Sequence, residues 1–154
     1  MMQPDELIDT WLHSAELSMS LHYKSAQRFE RMHYLLGVPA VVLSTAVGTT
    51  VFAALRKDLD VPIQIATAAG SFSAAILTAL QTFLGYNQRA VKHQQAGAAY
   101  ASLIRRIHEQ LAFPASQPEE LQRFVAVLRA RFDTLSRESP AFPQRLFQRE
   151  MPDT

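Results

Sequence analysis

Two long apolar runs, joined by a short charged segment, dominate the middle of the chain. The first, residues 34–55, contains no ionisable group except the Tyr34 hydroxyl; the second, residues 61–88, is longer still. A hydrocarbon core about 30 Å thick is crossed by roughly 20 helical residues, so either run is long enough to span it. Buried soluble helices of this length would need cover on every side, and the rest of the 154-residue chain is too small and too polar to supply it. The pattern predicts an all-α membrane protein of one domain overall. Its parts are an N-terminal amphipathic helix (1–33), a first transmembrane helix (34–55), an external turn (56–60), a second transmembrane helix (61–88) and C-terminal helices with a tail (89–154). The two spans form a helical hairpin, and the amphipathic helices from both termini form a cytoplasmic bundle.

The polar flanks carry their own periodicity. Ile8, Leu12, Ala15, Met19, Ala26 and Phe29 fall on one helical stripe, with His22 filling a gap in it. After the second run, Ala90, Gly97, Ile104 and Leu111 recur every seven residues, interleaved with His93, Tyr100 and Ile107, as in a coiled-coil seam. The second span is therefore expected to continue as one long helix beyond the membrane. Ser116 and Glu119 form a capping box that starts a last helix, bearing Leu121, Phe124, Val125, Leu128, Phe132 and Leu135, which should fold back on the earlier amphipathic segments. Pro140 and Pro143 end it in an extended tail. Asp60 is the expected N-cap of the second span, Pro62 fits its first turn, and Pro39 is a candidate kink near the start of the first.

Read face by face, the second span shows three stripes. Gln64, Thr67, Ser71, Thr78 and Thr82 make a polar face; Ala66, Gly70 and Ala74 make a ridge of small residues; Ile65, Phe72, Ile76, Leu80 and Phe83 fill the bulky side. The first span has a matching ridge in Ala40, Ser44 and Gly48. Small residues four apart let helices approach closely in lipid, so the ridges are expected to mediate the hairpin contact or contacts between copies. The polar face has two readings. Its hydroxyls either bond back to their own helix and pack, or line an aqueous path, and a path would need several copies because two helices cannot enclose water.

Composition alone conceals this segregation: 19% charged residues, a net charge of +1 and a mean hydropathy of −0.03 describe an ordinary soluble chain. Eight charges lie in residues 1–33 and seventeen in residues 89–154. Lys24, Arg28 and Arg31 precede the first span, Arg89, Lys92, Arg105 and Arg106 follow the second, and only Arg56 and Lys57 lie between, which places both termini in the cytoplasm by the positive-inside rule. The N-terminal segment does not read as a secretory signal. A near-neutral charge argues against a nucleic-acid binder, and a chain without cysteine has no disulfide, thiolate nucleophile or sulfur ligand.

His13, His22, His33, His93 and His108 raise the question of a metal, yet no two are four apart on one helical face and none belongs to an H-E-x-x-H pair, so structural roles are expected and no metal or cofactor. The spans hold no carboxylate pair for a proton or ion relay, and no glycine-rich phosphate loop or nucleophile elbow occurs. The chain reads as neither a self-contained enzyme nor a carrier. His93, Gly97 and Tyr100, on a face with Arg89 just inside the membrane, read either as an ordinary helix seam or as a coupling element between cytoplasmic events and the spans.

The chain resembles the SLATT family, the SMODS- and SLOG-associating two-transmembrane effectors. The resemblance runs from about Trp11 to Pro143 and is carried by "HYLLGVPAVVLSTAVGTTVFAAL", "AAILTALQTFLGYNQRAVKHQQAGAAYASLIRRI" and "LSRESPAFP". Its most specific part holds Gln81, Arg89, His93, Gly97 and Tyr100, which are family-like positions and candidate coupling residues. The resemblance implies a multi-pass protein of the bacterial inner membrane, an oligomeric and pore-forming effector of an anti-phage or other conflict system, triggered by a nucleotide second messenger or its sensor. A nucleotide synthase or sensor would then be a separate partner protein. The alternative is a non-conducting scaffold whose cytoplasmic helices recruit a soluble partner; a third reading is a subunit of a membrane enzyme whose catalytic residues lie on another chain.

Overall fold

The computed structural model describes residues 4–54, 60–114 and 117–142. Four helices follow one another: α1 (Pro4–Ala54), α2 (Val61–Leu84), α3 (Tyr86–Ala112) and α4 (Pro118–Glu138), with no strand among the described residues. The expected turn apart from Asp60, the Ser116 cap and the tail beyond Phe142 lie outside the described residues. The chain divides into two compact units, one of residues 1–27 with 90–154 and the other of residues 28–89, so that α1 contributes to both.

In the first unit α1, α3 and α4 share one apolar core. Ile8 and Ala15 from α1, Tyr100, Leu103, Ile104 and Ile107 from α3, and Leu128 from α4 are buried together, with Trp11, Leu12, Met19, Phe124 and Phe132 packed around them. Removing a side chain such as Ile107 or Leu128 from water stabilises the unit by about 1.5–3 kcal/mol, so these few positions hold the three helices together. The seven-residue seam on α3 is realised through Ile107, whereas Leu111, at 50% exposure, falls outside it.

The start of α4 differs from the capping box. Its N-cap is Gln117, in extended conformation and without a side-chain cap bond, and Pro118 occupies the first turn. Proline there loses no intrahelical bond and brings a helical φ, so it suits the first turn. Glu119 and Glu120 in the first turn and Arg137 in the last complement the helix dipole.

In the second unit the later part of α1 runs antiparallel to α2. Gln81 reaches His33 and lies against Gly37, while Gly70 faces Val47. α1 is helical through Pro39, where the sequence suggested a kink. Asp60 is the N-cap of α2 by backbone conformation, accepting from the Ile63 and Gln64 N–H groups, but its carboxylate makes no cap bond. Two helices, the second reckoned across Gly85, are long and apolar enough to cross a membrane, and only 6% of the most apolar window of each is buried. A soluble core helix would be mostly buried; here Phe52, Phe72 and Phe83 are 74%, 69% and 87% exposed.

The expected unbroken helix leaving the second span is interrupted at Gly85. This residue has φ 56° and ψ 34°, and its N–H donates to the Gln81 carbonyl at 3.3 Å, closing α2 before α3 begins at Tyr86. It is the one positive-φ residue among those described, and glycine takes up this left-handed conformation without the Cβ clash that other residues meet.

Candidate functional site

In the second unit the polar face of α2 proves to be a row of locally committed hydroxyls. Thr67 donates to the Ile63 carbonyl at 2.7 Å, Ser71 to Thr67 at 3.0 Å, Thr78 to Ala74 at 2.9 Å and Thr82 to Thr78 at 3.0 Å. Each of these four hydroxyl donors is satisfied one turn back, so none of them has a hydrogen left to place while their oxygens keep accepting capacity. Ser71, Thr78 and Thr82 line one groove of about 1000 Å³ together with Ser44, Val47 and Gly48 of α1. Gln64 and Thr67 do not line it, so the structure brings together three of the five candidate pore-lining residues.

The two small-residue ridges divide between packing and groove. Ala40 and Ala74 are buried, and a Cβ on Gly70 would stand 3.2 Å from the Val47 side chain, so these positions serve the helix contact. Ser44 and Gly48 line the groove, as buried Ala74 also does, and a Cβ on Gly48 would meet nothing within 4 Å. Ala66 is exposed. A second groove, about 750 Å³, is lined by His33, Gly37, Ala40, Ser44, Thr78 and Gln81 among others. At its end Gln81 Nε2 lies 3.1 Å from His33 Nδ1, a polar tie between α1 and α2, and Phe29 stacks on Tyr86 with ring centres 6.0 Å apart.

The five candidate coupling residues divide between the two units. Gln81 and Arg89 belong to the second unit, where Arg89 is exposed; His93, Gly97 and Tyr100 belong to the first and are buried. His93 Nδ1 lies 3.0 Å from Nδ1 of His22, so one ring donates and the other accepts, and the two imidazoles carry complementary tautomers. Tyr100 stacks on His22 at 5.7 Å with 20° between the rings, and Phe142 packs against His22 at 4.3 Å. Gly97 provides room for the Tyr23 ring, which a Cβ would approach to 3.2 Å.

This environment favours neutral rings. Burial, and secondarily the neighbouring His93, lowers the His22 pKa to about 4, and burial lowers that of His93. His22 Nε2 and Ser25 Oγ are buried with no hydrogen-bond partner. The sequence signal for this arrangement was His22 filling the apolar stripe of α1; its partner is 71 residues away, beyond the reach of any local pattern. Tyr23, Ser25 and His33 carried no such signal. Among the described residues no group of three or more His, Asp or Glu side chains could hold a metal ion.

Compared with protein-family models, with curated proteins and with solved structures, the chain matches none.

Proposed function

We propose that the chain is an oligomeric effector of the bacterial inner membrane that opens a pore, as its resemblance to the SLATT family implies. The hairpin crosses the bilayer with both termini in the cytoplasm, in keeping with the basic residues flanking the spans. The first unit is its cytoplasmic bundle. A separate nucleotide synthase or sensor supplies the signal of an anti-phage or conflict system, and the signal shifts a resting population towards the conducting one. The observation that carries this reading is the groove of Ser44, Gly48, Ser71, Thr78 and Thr82, in which small and hydroxylated side chains from two apolar helices face space that the chain itself does not fill. Several copies arranged with these faces inward would enclose a path lined by hydroxyl oxygens.

The test is membrane potential, read with a voltage-sensitive dye in bacteria after controlled induction, beside a variant with leucine at Ser71, Thr78 and Thr82 at matched membrane abundance. Rapid depolarisation by the wild type and none by the variant is expected. Equal depolarisation by both would remove the groove from the path.

A second reading, a non-conducting scaffold, draws on the first unit. Leu7 of α1 and Leu121, Val125 and Ala126 of α4 line an apolar groove of about 640 Å³ in which a soluble partner's helix would fit. It predicts partner capture by the bundle with no ionic current.

A further inference from the structure

Three side chains with donor groups line one small cleft between α3 and α4. Ser102 and Arg106 come from successive turns of α3 and Arg131 from α4, above a floor of Ala99, Leu103 and Leu135, around a cavity of about 240 Å³. Among the described residues, none of the three donors has a hydrogen-bond or ion-pair partner. None of the four carboxylates of α4 lines the cleft; Asp133 lies 4.0 Å from Arg129, and Glu138 lines a neighbouring cleft with Lys92. Glu109 of α3 does not line the cleft.

Arg106 and Arg131 are both exposed and line one cleft that no Asp or Glu lines, so they present two like charges to an incoming anion. We infer that this cleft binds a phosphate-bearing anion, gripped between Arg106 and Arg131, with the Ser102 hydroxyl as a third donor. A carboxylate is satisfied by a single bidentate arginine, whereas a tetrahedral phosphate offers oxygens to both walls and to the hydroxyl at once. The cavity is smaller than the roughly 300–1,000 Å³ of pockets that enclose whole small molecules, so the cleft holds the phosphate group and leaves the remainder of the ligand outside. The same chemistry is offered by a soluble phosphate ester and by the headgroup of an anionic phospholipid. This inference stands apart from the pore reading, since it concerns binding and not conduction.

The experiment is calorimetric titration of inorganic pyrophosphate into the full chain, held in discs of phosphatidylcholine at fixed ionic strength. One saturable site per chain is expected, weakened at least about tenfold in Arg106→Gln and in Arg131→Gln and less in Ser102→Ala, because each arginine removes a charge-assisted bond. Arg123→Gln, an exposed cation on α4 outside the cleft, should bind as the wild type does. The inference is overturned if no saturable binding occurs, if both cleft variants bind normally, or if Arg123→Gln loses as much as they do. Repeating the titration in discs containing phosphatidylglycerol separates the sources. A headgroup in the cleft weakens pyrophosphate binding to the wild type alone, whereas unchanged affinity assigns the site to a soluble ester.

Discussion

Acidification should loosen the first unit, and the histidine pair sets by how much. In the unfolded chain His22 titrates near 6.5; in the folded protein its pKa is about 4. The folded state thus prefers the neutral ring. The resulting stabilisation is fully present above the unfolded value and is lost as pH falls from about 6.5 through 4, because the unfolded chain binds the proton more readily. Between pH 7.5 and pH 5 this difference amounts to about 2 kcal/mol, roughly a 30-fold change in the opening equilibrium. His93, shifted in the same direction by burial, adds to the loss.

Hydrogen exchange of α3 amides around Tyr100 and Ile107 reads that equilibrium directly once the intrinsic rate at each pH has been divided out. Protection should fall about 30-fold or more over this range. The double variant His22→Phe, His93→Phe keeps two rings beside Tyr100 and carries no proton at either site, so its protection should be flat with pH. Wild-type protection that stays constant or rises on acidification would refute the reasoning. It would mean that the pair accepts a first proton without penalty, sharing it along the 3.0 Å axis between the two Nδ1 atoms.

Two glycines provide further checks. Gly97→Leu would drive a branched side chain into the Tyr23 ring and should cost the first unit about 1–3 kcal/mol, seen as a lower midpoint of thermal unfolding by circular dichroism in detergent. Gly85→Ala forces a Cβ into left-handed backbone and should lower the same midpoint by the equivalent of about 1–2 kcal/mol, while Gly85→Asn, a residue that tolerates this region, should lie close to wild type.

The helices themselves were legible because their cues are local. An apolar stripe on residues 6–32 and a seven-residue seam after Ala90 are periods of the α-helix, and in the first unit they reappear as buried faces as far as Ala26 and Ile107. Where α2 ends was harder to read, since apolar side chains continue to either side of Gly85 and hide a helix-terminating glycine among them; the cue was the glycine itself, followed by polar Asn87 and Gln88. The groove was visible only by halves. The polar stripe of α2 could be drawn on a helical wheel, but whether Ser44 and Gly48 pack against that helix or open beside it depends on how each helix is rotated about its axis, which no single-helix pattern encodes. The histidine pair and the arginine cleft join residues from separate helices, and their chemistry exists only once those helices are packed.

The hydroxyls of α2 have a consequence for the medium around them. A free serine or threonine in hydrocarbon seeks a donor's partner and in water finds one at once, so it votes for water. With its hydrogen lodged on the carbonyl of the preceding turn, as at Ser71, Thr78 and Thr82, it exposes only weakly demanding oxygen and a methyl or methylene group. Such a surface is amphibious. Acyl chains can cover it at small cost and water can wet it at small cost, so the balance between the two is left to whatever brings neighbouring surfaces together or parts them.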